Sequence, residues 1–280
     1  MSKVVIDVSV RSKNVYFDTN IYDRVLDDPE KQQIIERIKE KKFIVMPSVV
    51  NLCELLMISA PYRKTELMRV FHEIKDDFHT LKPYTWLLEE SINNIQSGLD
   101  ELEVNYPIPI NDQTENVCRE LMDKKKGELV YIQNARSFIQ GIKKREPFPT
   151  ELKYFELIDS ENGQKKLIEI VDQFCVSKKM ECRLDEEKMK TLVTSPSMPW
   201  KYYLESYFYP VYRRIYLDTG CGVHSNPGSA DQEQCTYLFW ASKFITEDGD
   251  FLEFLKNLKK IRGYEAEIMN YSDFKKALFS

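Results

Sequence analysis

Four acidic residues that are far apart in the chain stand where predicted strands end or predicted helices begin: Asp18, Glu54, Asp231 and Asp248. Asp18 and Asp248 each follow a short apolar run, and the carboxyl ends of neighbouring parallel strands meet at one edge of a sheet. Clustered carboxylates repel one another unless a cation lies among them, and one or two hard divalent ions with oxygen ligands are the usual solution. The pattern therefore predicts metal-assisted hydrolysis of a phosphodiester.

The segments around these acids alternate between strand and helix patterns. The apolar runs 14–17 and 43–46 are short and have polar boundaries, which is typical of buried strands. Asp18 begins a turn that leads into a helix, and Pro47 opens a second helix in which Glu54 lies about two turns from the start. Near the C-terminus, the predicted elements are a helix with Ser229 as its N-cap, a strand over 243–246, a helix to about Lys260 and a strand over 264–269. This order favours an α/β fold with a parallel sheet.

Helical periodicity dominates the middle of the chain, where strand-like runs become rare. Proline clusters separate the helical blocks of this region. We therefore predict three parts: the first part of an α/β core at 1–61, a large helical insertion at 62–200 and the second part of the core at 201–280.

The composition is that of a soluble globular protein, since 42% of the 280 residues are apolar and 30% are charged. The net charge of −5 gives no overall case for nucleic-acid binding, although metal ions and local basic faces can compensate an acidic centre. No apolar stretch reaches the ~18 residues of a membrane span, and the N-terminus lacks the apolar region of a signal peptide. Six cysteines without a CxxC pair and only three histidines argue against zinc. We expect a cytoplasmic protein with reduced thiols.

Each acid by itself has an ordinary structural interpretation. Asp18 is a suitable helix N-cap, and Asp231 would stabilise a helix N-terminus through its charge. Glu54 fits a solvated helix position, and Asp248 and Asp250 fit a turn. The information lies in the order of the acids and in the residues beside them.

In combination, these segments resemble the PIN-domain nuclease family. The chain has Asp-Thr-Asn at 18–20 after the first strand, a glutamate in the helix after the second strand and an aspartate at the start of a later helix. After another strand it has Thr-Glu-Asp-Gly-Asp-Phe at 246–251, which is similar to the family's Thr-x-Asp-x-Asp-Phe. The resemblance covers about 1–60 and 225–270, which is less than half of the chain.

The resemblance implies a three-layer α/β/α fold with a central parallel sheet, and hydrolysis of single-stranded RNA with Mg²⁺ or Mn²⁺. The resemblance implies that Asp18, Glu54 and Asp231 are metal ligands, and that Asp248 completes the site directly or through water. Asp250 would lie outside these ligands or at a second metal. Asn20 or Thr246 would orient a carboxylate or the attacking water. Compact members of the family have far fewer residues between Glu54 and Asp231, so the insertion here could form its own substrate wall or lid. One role in the family is the toxin of a toxin–antitoxin pair, which would add an antitoxin as a protein partner, but such toxins are usually near half this length.

The segment 200–216 is dense in aromatic residues and contains Arg213 and Arg214. Aromatics interleaved with arginine can stack nucleobases and bind phosphates. The alternative, which we favour, is a helix that packs its tyrosines against the core. The basic residues of 256–262 are expected to form a solvated face, which could help to guide an RNA strand to the acidic centre.

Three other classes of function remain open. A structure-specific DNA nuclease of the flap-endonuclease type is compatible with the additional helices, but the chain has few additional paired acids. A phosphatase or dehalogenase with an aspartate nucleophile is disfavoured, because such phosphatases need Asp-x-Asp after the first strand and position 20 is Asn. A non-catalytic scaffold that binds nucleic acid or protein is disfavoured by the full set of acids.

Overall fold

Short strands alternate with helices along the parts of the chain that the computed structural model describes, which are residues 12–74, 79–99, 102, 105–107, 151–212 and 229–280. In chain order, the elements are β1 (Asn14–Phe17), α1 (Thr19–Asp27), α2 (Lys31–Glu40), β2 (Ile44–Val45), α3 (Val49–Leu56), α4 (Pro61–Ile74), β3 (His79–Leu81), α5 (Tyr84–Gln96), β4 (Asn105–Pro107), α6 (Glu151–Asp159), α7 (Glu161–Ser177), α8 (Glu186–Thr194), α9 (Pro199–Tyr212), α10 (Ser229–Gln234), a 3-10 helix (Cys235–Phe239), β5 (Lys243–Ile245), α11 (Gly249–Arg262), β6 (Glu267–Met269) and α12 (Tyr271–Phe279). No described helix combines the length and the apolar character needed to cross a lipid bilayer.

A four-stranded parallel sheet with the order β2-β1-β5-β6 lies at the centre of this arrangement. β1 is an inner strand, and its Phe17 is opposite Ile245 of β5. β3 and β4 form a separate antiparallel pair, which meets the main sheet through a bridge between Ser48 and Leu81. The prediction of an α/β fold with a parallel sheet is confirmed.

Helices cover both faces of the parallel sheet. Successive residues of a strand point to opposite faces, and here they enter two different hydrophobic cores. Tyr16 and Phe244 belong to a core that includes residues of α5 to α9 and α11. Phe17 and Ile245 belong to a second core, formed with α1 to α4 and α12. Burial on both faces explains why these strands are continuous apolar runs.

Several boundaries differ from the predicted ones. Ser229 is the first residue of α10 instead of its N-cap, and the helix tightens to 3-10 geometry at Cys235. The predicted strand over 264–269 forms only at its end, as β6, and α12 follows without having been predicted. The division into 1–61, 62–200 and 201–280 stays a prediction.

The aromatic residues of α9 are part of the core. Trp200 and Tyr209 are completely buried, and Tyr202, Tyr203 and Phe208 are at most 3% exposed. The core-packing interpretation is therefore confirmed for the described part of 200–216, and these rings are not available to stack nucleobases.

The C-terminal helix α12 is fixed to the junction of α1 and α2 by a partly buried ion pair. The Lys275 ammonium lies 2.9 Å from both carboxylate oxygens of Asp28, and the Tyr271 hydroxyl donates to the same carboxylate at 2.9 Å. Burial on its own raises the pKa of Asp28, but hydrogen bonds from Lys275, the Glu30 amide and Tyr271, together with the Lys275 charge, place that pKa below its ordinary value.

Lys275→Met is therefore expected to lower the free energy of unfolding at pH 7 more than the control variant below does, because the partly buried Asp28 loses its cation. A lowered pKa in the folded state stabilises the fold above the ordinary carboxyl pKa, and this stabilisation is lost as pH falls through the lowered value. The difference from wild type should therefore shrink at acid pH in urea titrations. The matched control Lys276→Met, which removes a 76% exposed side chain, should change stability by less than about 0.5 kcal/mol. Equal effects of the two variants, or a Lys275 effect independent of pH, would contradict this interpretation.

Candidate functional site

The candidate site lies at the carboxyl end of β1 and β5. Because these strands are parallel and in register, Asp18 and Thr246 follow them side by side. The Asp18 amide donates to the Ile245 carbonyl at 2.9 Å, and the Thr246 hydroxyl donates to Asp18 Oδ2 at 2.6 Å. The sheet edge therefore brings together two predicted site residues that are 228 positions apart.

Asp18 is buried and accepts several hydrogen bonds from neutral groups. Its side chain is the N-cap of α1 and accepts from the Thr19 amide at 2.6 Å, and it accepts from Asn20 Nδ2 at 2.7 Å. Burial raises the pKa of the Asp18 carboxyl, although hydrogen bonds from Thr246, the Thr19 amide, Gln234 and Asn20 oppose that rise. No lysine or arginine among the described residues forms an ion pair with Asp18, which is 4% exposed. The helix-capping interpretation of Asp18 is therefore confirmed, and a functional role for the same residue stays a prediction.

Glu54 is connected to Asp18 by hydrogen bonds through a single residue, Thr19. Its Oε2 accepts a hydrogen bond from the hydroxyl of Thr19, the residue whose amide binds Asp18. A capping box at the start of α3 sets the position of Glu54: Ser48 Oγ accepts from the Asn51 amide at 3.2 Å, and Asn51 Oδ1 accepts from the Ser48 amide at 2.8 Å.

The segment after β5 places the backbone of Asp248 next to the Thr246 side chain. The Asp248 amide donates to the Thr246 hydroxyl oxygen at 3.2 Å, whereas its exposed carboxylate caps α11 by accepting from the Phe251 amide at 2.8 Å. Asp250 is exposed in the first turn of α11. Asn20 connects the two strand ends, because its Nδ2 donates to Asp18 and its Oδ1 accepts from the Glu247 amide at 3.0 Å.

α10 contacts the site through Gln234, which is 1% exposed. The Tyr16 hydroxyl donates to Gln234 Oε1 at 3.2 Å, and Tyr16 itself lies in β1. Asp231 is half-buried in the first turn of the same helix, where its carbonyl accepts from the Cys235 thiol at 3.3 Å. Within the described ranges, no three or more His, Cys, Asp and Glu side chains are grouped so that they could hold a metal ion.

Four residues of this network were not singled out in the sequence: Tyr16, Thr19, Asn51 and Gln234. Tyr16 is part of an apolar run, and the other three resemble ordinary polar positions in helices. Only Asn51 carried a signal, because it lies three residues after a serine that follows a proline, at the start of a helix.

The basic residues proposed for RNA contact have a mixed outcome. Arg213 and Arg214 lie outside the described residues. Arg262 is 15% exposed and pairs with Glu205 and Asp159, each at 2.6 Å. It therefore supports the packing of helices instead of a solvated RNA-binding face.

Comparisons with protein-family models, with curated proteins and with solved structures found no match for this chain. What the site can do therefore follows from its own charges and donors. It contains a buried carboxylate for which the described residues provide no ion pair, and a second carboxylate that is hydrogen-bonded to the adjacent Thr19. Both are oxygen ligands of the kind that hard divalent ions prefer.

Proposed function

We propose that this protein is a divalent-metal-dependent ribonuclease that hydrolyses single-stranded RNA, with a PIN-like three-layer α/β/α fold. The observation that carries the proposal is the environment of Asp18: a buried carboxylate, held by neutral donors at the carboxyl end of a parallel strand, beside Glu54. Buried charges in proteins are normally paired or bind metal ions.

Mg²⁺ or Mn²⁺ would supply the positive charge that the described residues do not provide at Asp18. Asp18 and Glu54 are the residues that would hold the ion. The carboxylates of Asp231 and Asp248 would have to move closer to become further ligands, with Asp250 outside them, because no three such side chains are grouped around one position in the described ranges. When bound, such an ion polarises a phosphoryl oxygen and lowers the pKa of a coordinated water. Asn20 and Thr246 donate hydrogen bonds to Asp18 Oδ2 and so restrict rotation of the carboxylate. The carboxylate would therefore keep one orientation toward a bound ion.

One observation favours a second candidate, a non-catalytic scaffold that binds nucleic acid. The Asp18 oxygens already accept bonds from protein donors, and the Asp248 carboxylate caps a helix. Both acids thus have structural roles that need no metal ion.

Cleavage assays distinguish the two candidates. Labelled single-stranded RNA, single-stranded DNA and flap DNA are incubated with wild-type protein in Mg²⁺, Mn²⁺ or EDTA. We expect metal-dependent cleavage of RNA, and a rise in melting temperature with Mn²⁺, because a ligand that binds only the folded state stabilises it. Glu54→Gln should reduce cleavage by about 10²-fold or more and suppress the thermal shift, since several kcal/mol of metal assistance depend on its ligands.

The matched control is Glu253→Gln, an exposed position of α11, which should behave as wild type. RNA binding without cleavage would support the scaffold, and cleavage of flap DNA alone would support the DNA nuclease. Cleavage that survives EDTA would rule out the proposed metal dependence.

A further inference from the structure

We propose that Thr19 and Asn51 are positioning residues that set the separation and the orientation of the Asp18 and Glu54 carboxylates. This inference rests on the proposed metal-dependent function, and it concerns residues to which neither the acidic pattern nor the family resemblance assigns a role.

Thr19 contacts both carboxylates at once. It is the first residue of α1, its backbone amide donates to Asp18 Oδ1 at 2.6 Å, and its hydroxyl donates to Glu54 Oε2. Both donors belong to one residue, so the covalent geometry of Thr19 and its χ1 torsion limit the separation that the two carboxylates can have while both hydrogen bonds are kept.

Asn51 determines the direction in which the Thr19 hydroxyl donates. A hydroxyl has one proton and two acceptor lone pairs. Asn51 Nδ2 donates to Thr19 Oγ1 at 3.0 Å and thereby occupies an acceptor position of that oxygen. The Thr19 proton then remains for Glu54.

The orientation of the Asn51 carboxamide is itself determined by the backbone. The Ser48 amide can only donate, and it lies 2.8 Å from Asn51 Oδ1. The oxygen of the carboxamide must therefore face Ser48, so the nitrogen faces Thr19. A directed series of hydrogen bonds thus begins at a backbone amide and ends at the Glu54 carboxylate, and Asn51 is completely buried from competing water.

A second branch of the same network leads from Asn51 to α10. Ser48 Oγ lies 2.9 Å from the Tyr16 hydroxyl, which donates to Gln234 Oε1 at 3.2 Å. These side chains are buried, where hydrogen bonds are electrostatically stronger than in water. The helix that carries Asp231 is therefore tied to the same polar network as Glu54.

The test compares Thr19→Val, which keeps the shape of the side chain but removes the hydroxyl, with Thr19→Ser, which keeps the hydroxyl. Mn²⁺ affinity is measured from the electron paramagnetic resonance signal of the free ion, and kcat and KM are measured on single-stranded RNA. We expect Thr19→Val to weaken Mn²⁺ binding about 10–100-fold, as is usual when a partner of a metal ligand is lost, and to lower kcat with KM unchanged. Thr19→Ser should stay within about 2-fold of wild type.

Thr65→Val, at an exposed position of α4, is the matched control and should leave all values unchanged. Asn51→Asp provides an independent test, because a carboxylate at this position would accept the Thr19 proton and withdraw it from Glu54; its Mn²⁺ affinity should fall like that of Thr19→Val. If wild type binds Mn²⁺ and cleaves RNA while Thr19→Val does so equally well, the positioning role is wrong and the proposed function stands. Equal losses in Thr19→Val and Thr19→Ser would also overturn it, and wild type that neither binds Mn²⁺ nor cleaves would overturn both proposals.

Discussion

Asp18→Asn is expected to reduce Mn²⁺-dependent RNA cleavage by about 10³-fold or more. The change removes the charge of a buried carboxylate for which the described residues provide no ion pair. It also replaces one of two acceptor oxygens by an NH₂ group, which then faces a donor in either orientation of the carboxamide. A metal ion contributes several kcal/mol to transition-state stabilisation, and each ~1.4 kcal/mol corresponds to a factor of ten in rate. The initial rate of cleavage at saturating Mn²⁺ measures the effect.

Asp185→Asn is the matched control for this variant. Asp185 is the N-cap of α8 and accepts from the Lys188 amide at 2.8 Å, so it also caps a helix, but it is exposed and lies outside the candidate site. Asparagine is as good an N-cap as aspartate. Full activity in Asp185→Asn together with lost activity in Asp18→Asn would separate chemistry from capping. Wild-type cleavage by Asp18→Asn would remove the basis of the proposed function.

Arg262→Met is expected to lower the free energy of unfolding by about 3–5 kcal/mol, the range found when one partner of a buried pair is removed. Arg262 Nε donates to Glu205 Oε1 at 2.7 Å, and its two Nη atoms bind both oxygens of Asp159. The Glu205 side chain is 6% exposed, so the variant leaves its charge buried without the arginine. Urea denaturation followed by circular dichroism gives the difference.

Arg183→Met is the control for this prediction, because the Arg183–Glu181 pair is more than 70% exposed on both sides and should contribute less than about 1 kcal/mol. The double variant Arg262→Met with Glu205→Gln should recover part of the lost stability, since no charge is then left unpaired at Glu205. If Arg262→Met lowers the free energy of unfolding no more than Arg183→Met does, the buried pair does not stabilise the fold as proposed.

The sequence predicted the framework of the fold because the signals for it are local. The runs at 15–17 and 43–46 are apolar without interruption, and Ser48 begins a helix with a recognisable cap. The meeting of the segments that follow β1 and β5 also followed, because parallel strands place their carboxyl ends at one edge. α12 had a usable signal that was not interpreted, since its N-cap Asn270 precedes apolar residues at helical spacing.

The polar network of the site could not be predicted in the same way. The hydrogen bonds between Thr19 and Glu54, between Asn51 and Thr19, and between Gln234 and Tyr16 each join different elements, and the residues' own segments do not indicate these partners. The apolar run around Tyr16 predicts a core residue, and Tyr16 is buried in the core. Its hydroxyl also contacts Ser48, the N-cap of α3, and Gln234 of α10. Pairings of this kind depend on tertiary packing, which local patterns do not contain.

The central place of β1 in the sheet has a consequence for synthesis on the ribosome. β2 follows β1 closely in the chain, whereas Thr246, which completes the environment of Asp18, is 228 residues away. At a translation rate of roughly 5–20 residues per second, that interval takes about 10–45 s. Throughout this time the emerging polypeptide has an unfinished sheet edge, so the hydrogen-bonded environment of Asp18 cannot be complete until synthesis of the chain is nearly finished.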